Sequence, residues 1–304
     1  MTRPSDTPLA VVTGASSGIG LATAIGLAAR GRAVVAVGRD RERLARARSR
    51  IEAAGAAPVR IELADLERPP EVAALVERLA ALDAPIDLLV NNAGAVFFRT
   101  ERTPEGLERT LALNVLAPFE LTRRLLPHLR RGRPGRVVMV ASQAQAYGTL
   151  DPDHPAGPTG AGGWGAYSRS KLALIILTRE FARREGPEGV RFFAVHPGLV
   201  ATRFAANNSG AIGWFVNAMV HIAGISSQRA ARRILELTDA NGQAYPSGSY
   251  LVRSRPRAID RDLATPDAGA RLWRACEDLL GGLSGPSPSS PEAGARPPGR
   301  RPGS

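Results

Sequence analysis

The one lysine of this chain follows a tyrosine at the spacing of a single helical turn. Lysine and arginine together number 40, yet Lys171 is the only lysine, and it lies four residues after Tyr167. On a helix, residues i and i+4 share a face, so the phenol and the ammonium can act together. A position that keeps lysine in an arginine-rich chain needs a compact ammonium, not a planar guanidinium. The pair predicts a phenol that exchanges protons, with a pKa lowered by the neighbouring cation.

A glycine-rich turn follows the first apolar run, Leu9 to Thr13, and leads into an alanine-rich segment. Glycines at such a turn allow a tight bend and close approach of the backbone to a pyrophosphate. The N-terminus of the following helix offers N–H groups and a partial positive charge to phosphate. We therefore predict a dinucleotide-binding turn made by Gly14, Ser16, Ser17, Gly18, Ile19 and Gly20.

The end of the second predicted strand indicates which nicotinamide cofactor the chain would bind. An acidic side chain there would bind the 2′-hydroxyl of NAD. Gly38 occupies that place and Arg39 follows it, and a guanidinium suits the additional phosphate of NADP. The sequence therefore favours NADP(H) over NAD(H). The alternative is that Arg39 is a solvated turn residue.

Apolar runs alternate with helical patterns through most of the chain, which is typical of a parallel sheet covered on both faces. We therefore expect an α/β fold with a single Rossmann-type, doubly wound parallel sheet in residues 9–280. A short polar N-terminus, 1–8, precedes it, and a Pro-, Gly-, Ser- and Arg-rich tail, 281–304, is expected to be disordered. The predicted strands are 9–13, 33–37, 59–63, 86–90, 136–141 and 190–195, with helices ending near 30 and at 41–54, 70–82, 105–131 and 167–185.

Four motifs in one order resemble those of the short-chain dehydrogenase/reductase family. They are Thr13-Gly14 with Gly18-Ile19-Gly20, Asn91-Asn92-Ala93-Gly94, Tyr167 with Lys171, and Pro197-Gly198 with Thr202. The residues around Tyr167, the segment His196-Pro197-Gly198 and the later Ala270-Arg271-Leu272-Trp273 resemble the retinol dehydrogenase branch of that family. Members of that branch carry a long loop before the catalytic tyrosine, which the Gly- and Pro-rich segment 148–165 would form here. The resemblance covers about residues 8–282.

The resemblance implies a catalytic set made of Asn114, Ser142, Tyr167 and Lys171. Ser142 ends the fifth predicted strand, where ligands of open α/β sheets bind, and it would stabilise the substrate oxygen. Asn114 lies inside a predicted helix, where asparagine is disfavoured, and the family reason for it is a bound water that relays protons past Lys171. The alternative is that Asn114 is a tolerated polar residue within the helix.

The resemblance also implies further contacts with the cofactor along the same edge of the sheet. They are Asp65 and Leu66 at the adenine, Asn92 and Gly94 at the adenosine ribose, Lys171 with Tyr167 at the nicotinamide ribose, and Pro197, Gly198 and Thr202 at the carboxamide.

These features predict an NADP(H)-dependent oxidoreductase that moves a hydride between the cofactor and a lipophilic alcohol, aldehyde or ketone. The pocket walls would come from 148–165 and 203–225, which carry the apolar residues Trp164, Phe204, Trp214 and Phe215. Two alternatives stay open, reduction of a conjugated C=C bond on the same fold and a noncatalytic NADP-binding regulatory role. The resemblance further implies a homodimer or homotetramer, because helices near 105–131 and 167–185 commonly pair between subunits in the family.

Composition argues against several other classes of protein. The formal net charge is +12, but aromatic residues are 5% and the arginines are spread along the chain, so we expect no specific nucleic-acid partner. Four scattered histidines and one cysteine give no metal-ligand spacing, so we expect no metal site. No signal peptide or membrane anchor is recognisable, and the lone Cys276 suits a reducing compartment, so a cytoplasmic location is expected.

Overall fold

Eight strands form one sheet in the part of the chain that the structure describes. The computed structural model describes residues 7–132, 135–157, 162–186, 189–198, 226–238, 244–259, 262–263 and 265–283. The strands are β1 (Leu9–Thr13), β2 (Ala33–Gly38), β3 (Val59–Leu63), β4 (Leu88–Asn91), β5 (Arg136–Val140), β6 (Arg191–His196), β7 (Ser249–Val252) and β8 (Arg255–Pro256). Their order along the sheet is β3-β2-β1-β4-β5-β6-β7-β8. All neighbouring strands are parallel except β7 and β8.

Helices connect the strands and cover both faces of the sheet, so the expected doubly wound α/β fold is confirmed. The helices are α1 (Gly18–Ala28), α2 (Arg41–Glu52), α3 (Pro69–Ala80), α4 (Arg109–Leu111), α5 (Ala117–Arg130), α6 (Gly163–Glu185), α7 (Ser227–Glu236) and α8 (Pro266–Gly281). A π-helical turn, Ala112–Leu116, joins α4 to α5, and a 3-10 helix, Gln143–Tyr147, follows β5. Of the predicted tail, only residues 281–283 belong to the described part of the chain.

The elements predicted from the sequence need two kinds of correction, a boundary and three missed elements. The predicted loop 148–165 ends earlier, because α6 already begins at Gly163. The Gly163 amide donates to the Phe97 carbonyl over 3.0 Å, and this long-range bond supports a first turn that sequence propensity does not favour. The strands β7 and β8 and the helix α7 were not predicted at all.

In β1, β2 and β4 to β7, alternate residues face two separate hydrophobic layers. In β1, Val11 belongs to the layer that α3, α5, α6 and α8 cover, whereas Val12 belongs to the layer beneath α1, α2 and α7. Full burial of both sets is what a parallel sheet with helices on both faces requires. Since the parallel strands run the same way, their carboxyl ends meet at one edge, where open α/β sheets bind ligands.

Helix α6 is buried along most of its length, with 16 of its 23 residues buried. The C-terminal helix α8 packs against it through Trp273, whose ring centroid lies 4.8 Å from that of Phe119 and 4.7 Å from that of Phe181. Both contacts are edge-on, a favourable arrangement for aromatic rings. The guanidinium carbon of Arg184 lies 3.9 Å from the Trp273 ring centroid. Helix α8 therefore packs against both α5 and α6 on their side away from the sheet.

We expect Trp273→Ala to lower the free energy of unfolding by about 3–5 kcal/mol, because it leaves a cavity in this aromatic cluster. Trp164→Ala is the matched control, since that side chain is 49% exposed, and it should cost less than about 1 kcal/mol. Urea unfolding followed by circular dichroism measures both. A loss for Trp273→Ala no larger than that of the control would show that α8 does not support α6.

Candidate active site

The turn between β1 and α1 brings its backbone close to the space in front of the helix. Gly14 and Gly18 have φ angles of 65° and 56°, in the left-handed region that favours glycine. A Cβ atom on Gly20 would lie 2.3 Å from the Gly14 carbonyl oxygen. The Ser17 side chain does not cap α1, so the first N–H groups of this helix have no side-chain acceptor. This turn fits the pyrophosphate of a dinucleotide.

Hydrogen bonds between the ends of β1 and β4 hold this turn in place. The Thr13 hydroxyl oxygen accepts from the backbone amides of Asn92 and Ala93, each over 3.0 Å. The Asn92 side-chain amide donates to the Thr13 carbonyl over 2.9 Å. Asn92, predicted from the family resemblance to contact the cofactor ribose, therefore also fixes the start of the glycine turn.

Arg39 lies at the end of the cleft where the sequence places the adenosine. Its Nη1 donates to Glu67 Oε1 over 2.6 Å, and its side chain is 49% exposed. The other oxygen of Glu67, Oε2, accepts from Arg109 Nε over 2.7 Å. The predicted adenine contacts Asp65 and Leu66 line the same end of the cleft. Sequence reasoning missed Glu67, although an acid two residues after Asp65 was a usable signal.

Asn114 lies in a π-helical turn and not in a regular helix, which corrects the sequence-based placement. Its Oδ1 accepts from the Ala95 amide over 3.0 Å. Its Nδ2 donates to the Ala95 carbonyl and to Ser170 Oγ, each over 3.0 Å. A π-helical turn inserts an extra residue into the helical repeat and is frequent at functional sites. Asn114 therefore links α6, through Ser170, to the chain that follows β4.

Lys171 is buried at the end of β5, with 4% of its surface exposed. Its Nζ donates to the Val140 carbonyl over 2.9 Å and lies 5.6 Å from the Tyr167 ring centroid. Burial lowers the pKa of Lys171 to about 8. A Cβ atom on Gly94 would lie 3.2 Å from Lys171 Nζ and 3.1 Å from Asn114 Oδ1, so glycine leaves space beside both groups.

Tyr167 and Ser142 both line the cleft, Tyr167 from α6 and Ser142 from the end of β5. Burial raises the pKa of the Tyr167 phenol, and the Ser142 hydrogen bond opposes this rise. The expectation that the neighbouring ammonium lowers this pKa is wrong here, because desolvation of the phenol has the larger effect. The protein by itself therefore holds Tyr167 as a neutral phenol.

The chain after β6 closes the opposite wall of the cleft. Arg233, on α7, donates from Nη1 to the Pro197 carbonyl over 2.7 Å. Gly198 has a φ angle of 110°, which favours glycine. His196 lines the cleft beside both residues, although the sequence indicated no role for it. Thr202 lies outside the described residues, as do Phe204, Trp214, Phe215 and the whole of 203–225.

The structure brings most of the predicted site residues together around one open cleft with a volume of about 320 Å³. Gly20 and Asn114 are not part of its lining but contact residues that are. The predicted residues that line it are Gly14, Ser16, Ser17, Gly18, Ile19, Arg39, Asp65, Leu66, Asn92, Gly94, Ser142, Tyr167, Lys171, Pro197 and Gly198.

The family assignment follows from a match to the short chain dehydrogenase family model over residues 8–212. The chain belongs to the short-chain dehydrogenase/reductase family. It is 35% identical to retinol dehydrogenase 12 of Bos taurus over 272 residues, which is 89% of this chain and 85% of that protein. The predicted retinol dehydrogenase-like branch is thereby confirmed. As a member of the family, the protein is a dehydrogenase/reductase of a kind that uses nicotinamide cofactors.

Two further comparisons extend this result. The chain is 34% identical to a Streptomyces sp. (strain C5) protein with a proposed daunorubicin C-13 ketoreductase activity. This similarity extends over 275 residues, which is 89% of this chain and 92% of that protein. The fold is similar to that of a short-chain dehydrogenase from Sphingobium yanoikuyae in complex with NADPH. That comparison has a TM-score of 0.64 and 26% identity, and it covers 96% of this chain and 100% of the other.

Two absences hold for the described residues. Within them, no helix has the length and apolar character needed to cross a membrane. Across the same parts of the chain, no three or more His, Cys, Asp or Glu side chains are grouped so that they could hold a metal ion.

We expect Lys171→Met to raise the free energy of unfolding at pH 7 by about 1–3 kcal/mol, because the wild-type chain must bury an ammonium. Burial lowers the pKa of Lys171 from 10.5, its value in the unfolded chain, to about 8 in the folded protein. The ammonium therefore destabilises the fold fully below pH 8, progressively less as the pH rises from 8 to 10.5, and not at all above 10.5. The difference between the two proteins should therefore shrink as the pH rises through that interval. Urea unfolding at several pH values measures it.

The matched control for this prediction is Leu172→Met, an apolar exchange at the neighbouring buried position. This variant should show the same pH dependence as the wild-type chain, because it changes no charge. A Lys171→Met protein less stable than wild type at pH 7 would contradict the proposed desolvation of the ammonium.

Proposed function

We propose that this protein is an NADP(H)-dependent oxidoreductase that interconverts a lipophilic alcohol with its aldehyde or ketone. The observation that carries the proposal is that the Tyr167 phenol lies in one cleft with Ser142, Lys171 and the glycine turn. A nicotinamide cofactor bound there supplies the hydride in reduction and accepts it in oxidation. The protein residues position the groups and move the proton.

Tyr167 acts as the proton donor in the direction of reduction. The buried phenol keeps its proton near neutral pH, and a carbonyl oxygen that gains negative charge as the hydride arrives becomes basic enough to take it. Ser142 donates a hydrogen bond to the same oxygen and stabilises the negative charge that develops on it. In oxidation Tyr167 must act as a base, and the positive charge of an oxidised nicotinamide bound beside it would favour the phenolate form.

Lys171 and Asn114 complete the proposed proton path. Lys171 holds the nicotinamide ribose through a donor not used by Val140, since an ammonium has three. The Asn114 carbonyl oxygen has a second lone pair beyond the bond from Ala95. We propose that it binds the water through which a proton reaches Lys171. A Cβ atom added to Gly94 would lie 3.1 Å from Asn114 Oδ1 and 3.2 Å from Lys171 Nζ, so the two groups border one small space beside this glycine. Their closeness supports the proposed water position.

NADP(H) is the proposed cofactor because Arg39 lies at the cleft wall after Gly38, where an acid would favour NAD. Glu67 holds the Arg39 guanidinium at this wall, and its own second oxygen is engaged by Arg109. A partly exposed guanidinium oriented in this way suits bidentate binding of a phosphate.

We expect Arg39→Ala to weaken NADPH binding about tenfold or more and to leave NADH binding within about twofold. The matched control is Arg43→Ala, since Arg43 is similarly exposed but pairs with Asp40 and does not line the cleft. Quenching of protein fluorescence gives both dissociation constants. Equal losses for NADPH and NADH would contradict the assignment of Arg39 to the additional phosphate.

A lipophilic substrate is proposed from the apolar side of the cleft. Trp164 lines it and is 49% exposed, with its ring centroid 5.5 Å from that of Tyr167 and the ring planes 37° apart. A half-exposed indole beside the proton donor can cover an apolar substrate and exclude water from it. The names of two relatives specify retinol and the C-13 ketone of daunorubicin, which are an alcohol and a ketone on large ring-containing molecules.

We expect Tyr167→Phe to lower kcat for carbonyl reduction by about 100-fold or more, because it removes only the proton donor. NADPH binding should stay within about twofold of wild type. Tyr147→Phe is the matched control, since Tyr147 is 77% exposed, and it should keep full activity. NADPH oxidation with a panel of lipophilic aldehydes and ketones measures turnover.

Two outcomes of that panel would redirect the proposal. Unchanged turnover in Tyr167→Phe would refute the proton-donor role. Tight NADPH binding by the wild-type chain without turnover of any carbonyl would favour C=C reduction or a noncatalytic role.

We further propose a cytoplasmic protein without a nucleic-acid partner that assembles as a homodimer or homotetramer. The one cysteine, Cys276, is buried, which suits a reducing compartment. Helix α8 already covers Phe119 on α5 and Phe181 on α6, so subunits would pair through surfaces other than this one.

Size-exclusion chromatography with light scattering tests the assembly. We expect a mass of two or four times the 32.1 kDa of the chain, at protein concentrations in the micromolar range. A particle with the mass of one chain over that range would contradict the proposed oligomer, and the cover that α8 provides would be the physical reason.

A further inference from the structure

His196 is a buried side chain at the end of β6 that the proposed catalytic set leaves without a role. It is 6% exposed and lies on the wall of the cleft. Its Nδ1 accepts a hydrogen bond from the backbone amide of Gln143 over 3.2 Å. Gln143 directly follows Ser142 in the chain, and 53 residues separate it from His196. The histidine therefore contacts the backbone next to Ser142, which lines the cleft together with Tyr167.

This bond extends the connection between β5 and β6 beyond the end of β5. The last regular backbone bond there runs from the Ala141 amide to the Val195 carbonyl over 2.9 Å. At Gln143 the imidazole takes the place that a strand carbonyl would have. Within the turn itself, the Ser142 hydroxyl oxygen accepts from the Ala144 amide over 3.2 Å. The Ser142 carbonyl also accepts from the Gln145 amide over 3.2 Å. The segment that carries Ser142 is thus held by bonds within its own turn and by the side-chain bond from Gln143 to β6.

The imidazole is suited to act as an acceptor over a wide pH range. Burial, helped by the nearby cations Arg233 and Arg253, lowers the pKa of His196 to about 4. The ring is therefore neutral at pH 7, and with Nδ1 as the acceptor its proton lies on Nε2. A protonated ring would present an N–H group to the Gln143 amide and break the bond.

We infer that His196 is a positioning residue for Ser142: its Nδ1 anchors the Gln143 amide and so directs the Ser142 hydroxyl towards Tyr167. This inference rests on the proposed function, because it assumes that Ser142 stabilises the substrate oxygen. It assigns to His196 a contribution to turnover that is separate from the cofactor-binding role of Pro197 and Gly198. Small displacements of a group that stabilises a transition state are costly to the rate.

Two substitutions separate the acceptor from the bulk of the side chain. His196→Leu replaces the ring by an apolar side chain that has no hydrogen-bond acceptor. His196→Asn keeps an acceptor, because the amide oxygen is bonded to Cγ as Nδ1 is in histidine. We expect His196→Leu to lower kcat by about 10- to 100-fold, because a misplacement of about 1 Å at a reacting group can cost about 100-fold in rate. His196→Asn should stay within about threefold of wild type, and NADPH affinity should change less than about twofold in both. Thermal unfolding confirms that each variant is folded.

A double-mutant cycle with Ser142→Ala tests whether His196 acts through Ser142. If it does, His196→Leu should change kcat by less than about threefold in the Ser142→Ala background, since the positioned hydroxyl is already absent. An equal loss in both backgrounds would overturn the inference. So would a His196→Leu enzyme with wild-type kcat.

Hydrogen exchange of the peptide that contains Gln143 gives a readout that needs no turnover. Measured by mass spectrometry on the full chain, exchange at this peptide should be faster in His196→Leu and close to wild type in His196→Asn. Unchanged exchange in His196→Leu would overturn the inference. A wild-type chain that reduces no carbonyl would instead refute the proposed function, and faster exchange in His196→Leu would still support the anchoring role.

Discussion

An ammonium group held away from water at the end of β5 fixes the geometry of the whole site. Burying a cation is unfavourable unless a strong acceptor compensates it, and the Val140 carbonyl is the acceptor that Lys171 uses. This bond ties α6 to the strand that leads into Ser142. Because Tyr167 lies one helical turn before Lys171, the same bond also sets the height of the phenol above the sheet. One costly interaction therefore positions the phenol, its cationic neighbour and the serine opposite them.

Much of the surrounding structure supports α6 in this position. The π-helical turn brings Asn114 to Ser170, the residue before Lys171. From the other side, Trp273 packs against Phe181 and braces the helix beyond the site. A helix that is buried on several faces cannot shift without disturbing close packing on all of them. The fold thus provides stability elsewhere that compensates for the desolvated groups at the centre of the cleft.

The cleft combines two kinds of positioning along the carboxyl edge of the sheet. At the phosphate end, backbone conformation decides the shape, through Gly14 and Gly18 at positive φ. At the opposite end, side chains fix backbone, as when Arg233 binds the Pro197 carbonyl and His196 binds the Gln143 amide. The first arrangement leaves N–H groups available to a ligand, and the second restricts the backbone at Pro197 and Gln143 on the wall of the cleft.

The sequence by itself determined the features that depend on short-range rules. The Tyr167 and Lys171 spacing, the glycine turn and the alternation of strands and helices follow from helical periodicity and backbone sterics, so their places in the fold could be predicted. Tertiary structure alone decided the pairing of Arg39 with Glu67, the anchoring of Gln143 by His196 and the direction of the Tyr167 pKa shift. The physical reason is that desolvation and hydrogen bonding between residues far apart in the chain exist only once the core has formed, and no local pattern encodes them.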